Sequence, residues 1–216
     1  MIQCPSCGAR HAPRLICTQC GAPLAAELDC FAALGLDRKL VINPAALERS
    51  YHDLSRKIHP DRFANRPATV RAASLSATAL VTRAYRTLRD PVARGLYWLE
   101  LNGEKLGKDN KQVPADLAEL VFDVQEQLAE LRALSRHNAS AAGGLAQKVG
   151  ARRAELQATW DDSQRALAEN FARWDASGAS DANRLTAELK MILSKIAYLR
   201  TLMRDVDREL ENATAA

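Results

Sequence analysis

The chain has 216 residues and a formal net charge of +4, with 47% hydrophobic, 26% charged and only 5% aromatic residues. No apolar run is long enough to cross a bilayer and no basic-then-apolar leader opens the chain, so we expect a cytoplasmic protein without a membrane partner. Ala and Leu are abundant and β-branched runs are missing, which predicts an all-α fold.

The charge is distributed unevenly. Residues 28–102 contain 12 Lys/Arg and 7 Asp/Glu, whereas residues 103–216 contain 16 and 18. A basic middle and a mildly acidic end indicate two different protein partners. Nucleic-acid binders usually carry a dense basic stripe, so this distribution argues against a nucleic-acid partner.

Two short cysteine motifs open the chain, Cys4-x2-Cys7-Gly8 and Cys17-x2-Cys20-Gly21. Each pair can turn both thiolates towards one ion, and the following Gly permits the tight turn. Four thiolates suit tetrahedral Zn²⁺ in a closed, structural site, so residues 1–27 are predicted to form a four-cysteine zinc-binding module. Iron or an iron–sulfur cluster could use the same ligands. Disulfides and a redox Cys-x-x-Cys enzyme are less suitable, because neither a secretion signal nor a βαβ pattern is visible.

Two further residues near this module receive structural interpretations. His11 lies between the motifs and is interpreted as a solvated loop residue, because four cysteines already complete a tetrahedral shell. Cys30 lies outside the motifs and is interpreted as a small buried hydrophobe.

Residues 28–102 are predicted to contain three main helices. Asn43-Pro44 supplies an N-cap and a first-turn proline, and Pro60 ends the helix that follows. A second helix should cover about residues 68–88. Asp90-Pro91 repeats the capping signal, and the third helix stops at Asn102-Gly103.

The first of these helices leads into His59-Pro60-Asp61. Pro60 fixes the backbone and should hold the imidazole and the carboxylate at an exposed corner. Such a carboxylate can pair with an Arg of a partner, and the imidazole can donate or accept a hydrogen bond at neutral pH. The helix before the corner is basic and can steer an acidic partner, although a merely solvated face is the alternative. Its relevant residues are Arg49, His52, Arg56 and Lys57.

Residues 103–113 read as a polar linker, and residues 114–216 as an antiparallel bundle of three amphipathic helices. The first bundle helix should run from about residue 114 to His137 and be broken by Gly143-Gly144. The second holds Trp160, Phe171 and Trp174 as packing residues. A turn at residues 177–180 precedes the third, whose core row is predicted to be Leu185, Leu189, Ile192, Ile196, Leu199, Met203, Val206 and Leu210.

An acidic stripe lies opposite the apolar face of the first bundle helix. Its spacing is three, four, three and four residues, and its members are Asp116, Glu119, Asp123, Glu126 and Glu130. Phe122 projects beside this stripe, away from the Leu and Val positions. An aromatic ring rimmed by carboxylates is a candidate anchor for another protein, and the alternative is a solvated face.

Four segments carry a resemblance to a known family: DCFAALGL (29–36), HPDRF (59–63), AYRTLRDP (84–91) and RGLYWLELNG (94–103). Residues 28–102 resemble a J-domain, the module that activates DnaK-type chaperone ATPases. More narrowly, the whole chain is similar to the HscB-type co-chaperones of iron–sulfur cluster biogenesis, some of which also have an N-terminal four-cysteine module.

The resemblance implies an adaptor without a catalytic site of its own. His59, Pro60 and Asp61, with the basic helix, would contact a DnaK/HscA-type ATPase and stimulate hydrolysis. The bundle would bind an iron–sulfur scaffold protein of the IscU type, through Ala118, Phe122, Asp123, Glu126 and Ile192. Two departures appear: Ile58 stands where J-domains commonly have Tyr, and residues 118–120 match the family's Leu-Met-Glu run poorly. The alternative is a zinc-ribbon protein that binds nucleic acid.

Overall fold

A computed structural model describes residues 1–106, 113–135, 139–177 and 181–215. The chain forms two compact units, Met1–Leu101 and Asn102–Ala216. The predicted all-α class is confirmed, since the β structure in the described residues is limited to one two-stranded sheet and an isolated bridge.

The first unit begins with two short hairpins. Strand β1 (Ile2–Gln3) pairs antiparallel with β2 (Arg10–His11), in the register Ile2↔His11. A single bridge joins Ile16 to Pro23. Each hairpin therefore encloses one of the two cysteine motifs.

Four α-helices follow in this unit, α1 (Cys30–Ala33), α2 (Pro44–Ile58), α3 (Ala68–Arg89) and α4 (Pro91–Leu101). The Asn43 carboxamide oxygen caps α2 by accepting the N–H of Ala46 at 3.0 Å. The Asp90 carboxylate accepts the N–H groups of Val92 and Ala93 at the start of α4. Both caps stand where the sequence predicts them, because a short polar side chain can satisfy the free N–H groups of a first helical turn.

The core of the first unit lies between these helices. Its largest fully buried side chains include Phe31, Leu47, Ile58 and Leu88. Arg94 of α4 is also buried, and its guanidinium donates to the Leu88 carbonyl at 2.8 Å and to the Leu40 carbonyl at 2.6 Å. Cys30 is buried in the same core, as its apolar interpretation predicts.

The second unit is a bundle of three helices, α5 (Ala118–Ser135), α6 (Ala139–Ser177) and α7 (Ala182–Ala215), with a short 3-10 helix (Ala115–Leu117) before them. The ion pairs Arg153–Asp207 and Arg173–Glu188 show that α6 and α7 run antiparallel. The pairs Lys195–Asp116 and Arg132–Glu209 show that α5 and α7 run in the same direction. The apolar face predicted for the first bundle helix is buried at Leu117 of the 3-10 helix and at Val121, Val124, Leu128 and Leu131 of α5.

One predicted break in the bundle is wrong. Gly143 and Gly144 lie inside α6, which already begins at Ala139. Two glycines cost a helix about 1 kcal/mol each relative to Ala, but tertiary packing decides helix formation in a folded protein. Here Leu145, directly after Gly144, and Val149, a little more than one turn further on, are buried and keep this end of α6 against the core.

One predicted core position on α7 also needs correction. Ile192 is only half-buried, and the neighbouring Leu193 takes the core position. The buried residues here are Leu189, Leu193 and Ile196, with spacings of four and then three. The predicted row used a spacing of three and then four at this point, so it placed Ile192 in the core instead of Leu193. The predicted helix end at His137, linker residues 107–112 and turn residues 178–180 lie outside the described residues.

Candidate functional sites

The two cysteine motifs fold into matching knuckles. In each, the Gly after the second Cys donates its N–H to the carbonyl of the first Cys at 3.0 Å, from Gly8 to Cys4 and from Gly21 to Cys17. Both glycines have positive φ, 74° and 72°, a conformation that side-chain-bearing residues rarely adopt. The predicted role of these glycines in the tight turn is therefore observed directly.

The four thiol groups converge on one point. Their sulfur atoms all lie within 4.8 Å of one another, with 3.5 Å between Cys4 and Cys20 and 3.7 Å between Cys7 and Cys17. A tetrahedral ion with metal–sulfur bonds of about 2.3 Å requires sulfur–sulfur distances of about 3.8 Å. Cys4, Cys7, Cys17 and Cys20 thus fit a tetrahedral metal ion. Cys4 and Cys17 are buried, whereas Cys7 and Cys20 are exposed.

The thiols lie so close together that their pKa values differ. At Cys20, the backbone N–H of Ala22 and the neighbouring thiols outweigh burial and lower the pKa to about 6. At Cys7, the backbone N–H of Ala9 favours the thiolate, but burial and the other three cysteines outweigh it and raise the pKa to about 12. Since metal ions bind thiolates, a bound cation would displace protons from the cluster.

His11 was predicted to be a solvated loop residue, and this prediction is wrong. Its side chain is buried, and its Nε2 atom lies 3.1 Å from the Cys17 sulfur. The pairing of β1 with β2 turns this ring inwards, towards the knuckles. A strand of two residues is too short for its alternation to be read from sequence, so only the position of His11 between the motifs could have suggested this contact.

His59-Pro60-Asp61 forms an exposed corner between α2 and a 3-10 helix, Pro60–Phe63. His59 leaves the helical conformation, with φ −56° and ψ 132°, as expected for a residue before Pro. The side chain of His59 is 54% exposed and that of Asp61 is 90% exposed. Nδ1 of His59 lies 3.4 Å from Oδ2 of Asp61. Both groups are therefore accessible to a partner.

The carbonyl of Ile58, immediately before the corner, is held by a residue that the sequence did not single out. The Ser74 hydroxyl on α3 donates to it at 2.6 Å, and Ser74 is fully buried. Ile58 itself is fully buried in the core of the first unit. No periodic pattern marks Ser74, because it is a single polar residue on an apolar helix face.

All four basic residues predicted on α2 are exposed, namely Arg49, His52, Arg56 and Lys57. Two of them have acidic neighbours on the same helix. His52 Nε2 lies 3.8 Å from Glu48 Oε1, and Arg56 pairs with Asp53. These intrahelical pairs are solvent-exposed and weak, so the arginine can exchange its partner at little cost.

The residues predicted on the bundle surface are only partly brought together. Phe122 is 67% exposed on α5, and Ala118 and Glu126 are exposed beside it. Asp123 is half-buried and pairs with Arg152 of α6 at 3.2 Å, a contact that sequence periodicity could not reveal. The described contacts do not link Ile192 to these residues. The same bundle also exposes Met191 of α7.

Comparison with known proteins shows which proteins the chain resembles. A co-chaperone protein HscB homolog of Aromatoleum aromaticum is 29% identical over 186 residues, which is 86% of this chain and 95% of that protein. The crystal structure of human co-chaperone protein HscB matches with a TM-score of 0.70 and 26% identity, covering 95% of this chain and 97% of that one. The chain is similar in sequence and in fold to the HscB co-chaperones. No protein-family model matches it.

A further relative matches only part of the chain. The human iron-sulfur cluster co-chaperone protein HscB is 32% identical over 135 residues, and the match covers 59% of this chain and 57% of the human protein. The chain thus spans little more than half the length of that HscB protein in the sequence match. Within residues 1–106, 113–135, 139–177 and 181–215, no helix is both long and apolar enough for a bilayer crossing.

Proposed function

We propose that the chain is a co-chaperone of iron–sulfur cluster biogenesis. It binds an IscU-like scaffold protein, delivers it to a DnaK/HscA-type chaperone and stimulates the ATPase of that chaperone. The names of the HscB relatives support this assignment. Under this proposal the chain activates an enzyme and has no catalytic site of its own.

The observation that carries the proposal is the exposed corner of His59 and Asp61. An accessible carboxylate can form a charge-assisted hydrogen bond with an Arg of the ATPase, and the imidazole can contribute a second contact. Pro60 fixes the backbone between them, so little conformational entropy is lost on binding.

The basic face of α2 would guide this encounter. Arg49, His52, Arg56 and Lys57 present positive charge on the helix that ends at the corner. Long-range attraction to an acidic patch mainly raises the association rate, and added salt reduces it. Replacing one of these residues should therefore change association more than dissociation.

Four regions divide these tasks in the proposed organisation. Residues 1–27 form the zinc-binding module, residues 28–102 the J-domain, residues 103–113 a linker and residues 114–216 the scaffold-binding bundle. The division of the chain between Leu101 and Asn102 is compatible with this scheme. Cys4, Cys7, Cys17 and Cys20 would hold Zn²⁺ in a structural role, because all four ligand positions come from the protein.

The scaffold surface would be centred on Phe122, Ala118, Asp123 and Glu126 of α5, with Ile192 of α7 as a further contact. An exposed aromatic ring can enter an apolar pocket of a partner and supply much of the binding energy. Neighbouring carboxylates would then favour a scaffold with a basic rim. One chain that holds both proteins raises their effective concentration for each other.

A single-turnover ATPase assay tests the proposal. The chaperone is loaded with ATP and mixed with the parent, with His59→Gln or with Glu100→Gln, which changes an exposed residue on α4. We expect stimulation by the parent and by Glu100→Gln, and loss of stimulation with His59→Gln. Equal stimulation by the parent and His59→Gln would contradict the mechanism.

A further inference from the structure

The metal module packs on the segment that follows the exposed corner. Phe63 is the last residue of the 3-10 helix Pro60–Phe63, and it lies against a buried cluster. The members of that cluster are Cys4, Cys17, Ala22, Leu24 and Val70. Phe63 therefore packs on a cluster that joins four residues of the metal module, two of them cysteines of the candidate metal site, to Val70 of α3.

Phe63 is the only large apolar residue in the sequence between Ile58 and Val70. The segment between them otherwise consists of small, polar or proline residues, and nearly all of it is exposed. Its local hydrogen bonds join residues within the segment, for example Arg62 N–H to the His59 carbonyl at 3.0 Å and Arg66 N–H to the Phe63 carbonyl at 3.0 Å. The corner is thus anchored on one side by Ile58 and Ser74, and on the other by Phe63.

The surface under Phe63 depends on a very small core. In residues 1–24, this buried cluster consists of the two cysteines, Ala22 and Leu24, and Leu15 is buried in the separate core around Phe31. A segment of this length buries too little apolar area to fold firmly by itself, and bound metal supplies the missing stability. Loss of the metal would therefore loosen the surface that holds Phe63.

We propose that Phe63 is a positioning residue that couples metal occupancy of the four-cysteine module to the order of the His59–Asp61 corner. With metal bound, Cys4, Cys17 and Leu24 form a fixed surface, and Phe63 holds the 3-10 helix against it. Without metal, the corner keeps its exposed groups but loses one of its two anchors. This coupling rests on the proposed function only where it concerns ATPase stimulation.

Hydrogen exchange of the full chain tests the coupling directly. Exchange of residues 59–66 is measured for the parent and for Phe63→Ala, each with Zn²⁺ bound and after chelation, with the chelator removed by gel filtration. Residues 117–131 of the bundle serve as an internal reference. Leu75→Ala is the matched control, because Leu75 is an apolar residue of α3 that is 60% exposed.

We expect chelation to speed exchange of residues 59–66 in the parent by about tenfold, and Phe63→Ala with metal bound to do the same. Chelation of Phe63→Ala should then speed exchange little further, because this variant already lacks the contact between the 3-10 helix and the metal module. Leu75→Ala should behave as the parent does. Unchanged exchange in the chelated parent, or equal acceleration by chelation in the parent and in Phe63→Ala, would overturn the proposal.

ATPase stimulation gives a second and separable readout. Chelated parent and metal-bound Phe63→Ala should both stimulate several-fold less than metal-bound parent, although both retain His59 and Asp61. If the metal-bound parent does not stimulate any candidate ATPase, the proposed function fails, while the exchange result still decides the coupling through Phe63.

Discussion

The hydroxyl of Ser74 on α3 donates a 2.6 Å hydrogen bond to the carbonyl of Ile58, the last residue of α2. A helix end leaves its final carbonyl groups without intrahelical partners, and a buried one must find another donor. The bond therefore fixes the point at which the chain turns into His59-Pro60-Asp61. A more distant hydroxyl, that of Thr78 at 3.5 Å, points to the same oxygen.

Ser74→Ala should lower the free energy of unfolding by about 1–2 kcal/mol, because it removes the principal donor to a buried carbonyl. Ser76→Ala, two residues further along α3 and exposed, should change it by less than about 0.5 kcal/mol. Urea titration of both variants measures the difference. Equal effects would show that the hydrogen bond to Ile58 contributes nothing measurable.

Arg94→Met should destabilise the chain by roughly 2–4 kcal/mol. The buried guanidinium donates to two carbonyls, those of Leu88 and Leu40, and Met would fill much of its volume without replacing either donor. Arg86→Met changes an exposed arginine of α3 and serves as the control. Thermal unfolding should show a lower Tm for Arg94→Met alone, and a parent-like Tm would contradict the buried-donor account.

The lowered pKa of Asp29 leads us to expect that the free energy of unfolding depends on pH. Burial alone would raise the pKa of its carboxyl group, but the Ala32 N–H at 2.8 Å and the Arg38 guanidinium lower that pKa below its ordinary value of 3.8. A carboxyl group with a lowered folded-state pKa stabilises the protein above its unfolded-state pKa. That contribution is lost as the pH falls through the lower folded-state value.

Asp29→Asn keeps a capping oxygen but removes the charge, so it isolates this effect. At pH 7 we expect the variant to unfold with a free energy roughly 0.5–1 kcal/mol lower than that of the parent. The two should converge when the pH is taken well below 3.8. A gap that is constant between neutral and acidic pH would show that the Asp29 charge is not responsible.

Metal removal should unfold the two cysteine knuckles and leave the three-helix bundle intact. The parent is expected to bind one Zn²⁺ per chain, and Cys4→Ser should bind less tightly and lose the metal to a weak chelator. Cys30→Ala is the control, because Cys30 is buried but outside the cluster. Elemental analysis after gel filtration gives the stoichiometry. Full metal retention by Cys4→Ser would exclude Cys4 as a ligand.

Phe122→Ala should weaken binding of an iron–sulfur scaffold protein at least tenfold while leaving the Tm unchanged. An interface anchor typically accounts for about 2 kcal/mol or more, whereas an exposed ring contributes little to folding. Leu75→Ala removes another exposed apolar side chain, in the first unit, and should bind as the parent does. Calorimetric titration of both variants tests this, and parent-like affinity of Phe122→Ala would place the scaffold elsewhere.

Local chemistry made the helix starts and the knuckles predictable from sequence. Asn43 and Asp90 act as caps within three residues of their own position, and Gly8 and Gly21 serve turns closed by their own motifs. The predictions that were wrong concern features that depend on contacts between residues far apart in sequence. Gly143 and Gly144 stay helical because distant helices hold α6.

Contacts between elements were equally hidden. His11 is buried on the face of β2 that meets Cys17, and Asp123 pairs with an arginine 29 residues away. Ser74 and Phe63 matter only through partners that lie far from them in sequence or belong to another module. Residue spacing describes one helix or one hairpin at a time, so it could not supply these relationships.

Within each knuckle the two cysteines differ in depth: the first, Cys4 or Cys17, is buried, and the second, Cys7 or Cys20, is exposed to water. Oxidants and alkylating reagents will reach the outer pair first. Chemical damage would thus first modify the exposed thiolates, which would release the ion. Only afterwards would it reach the buried cysteines.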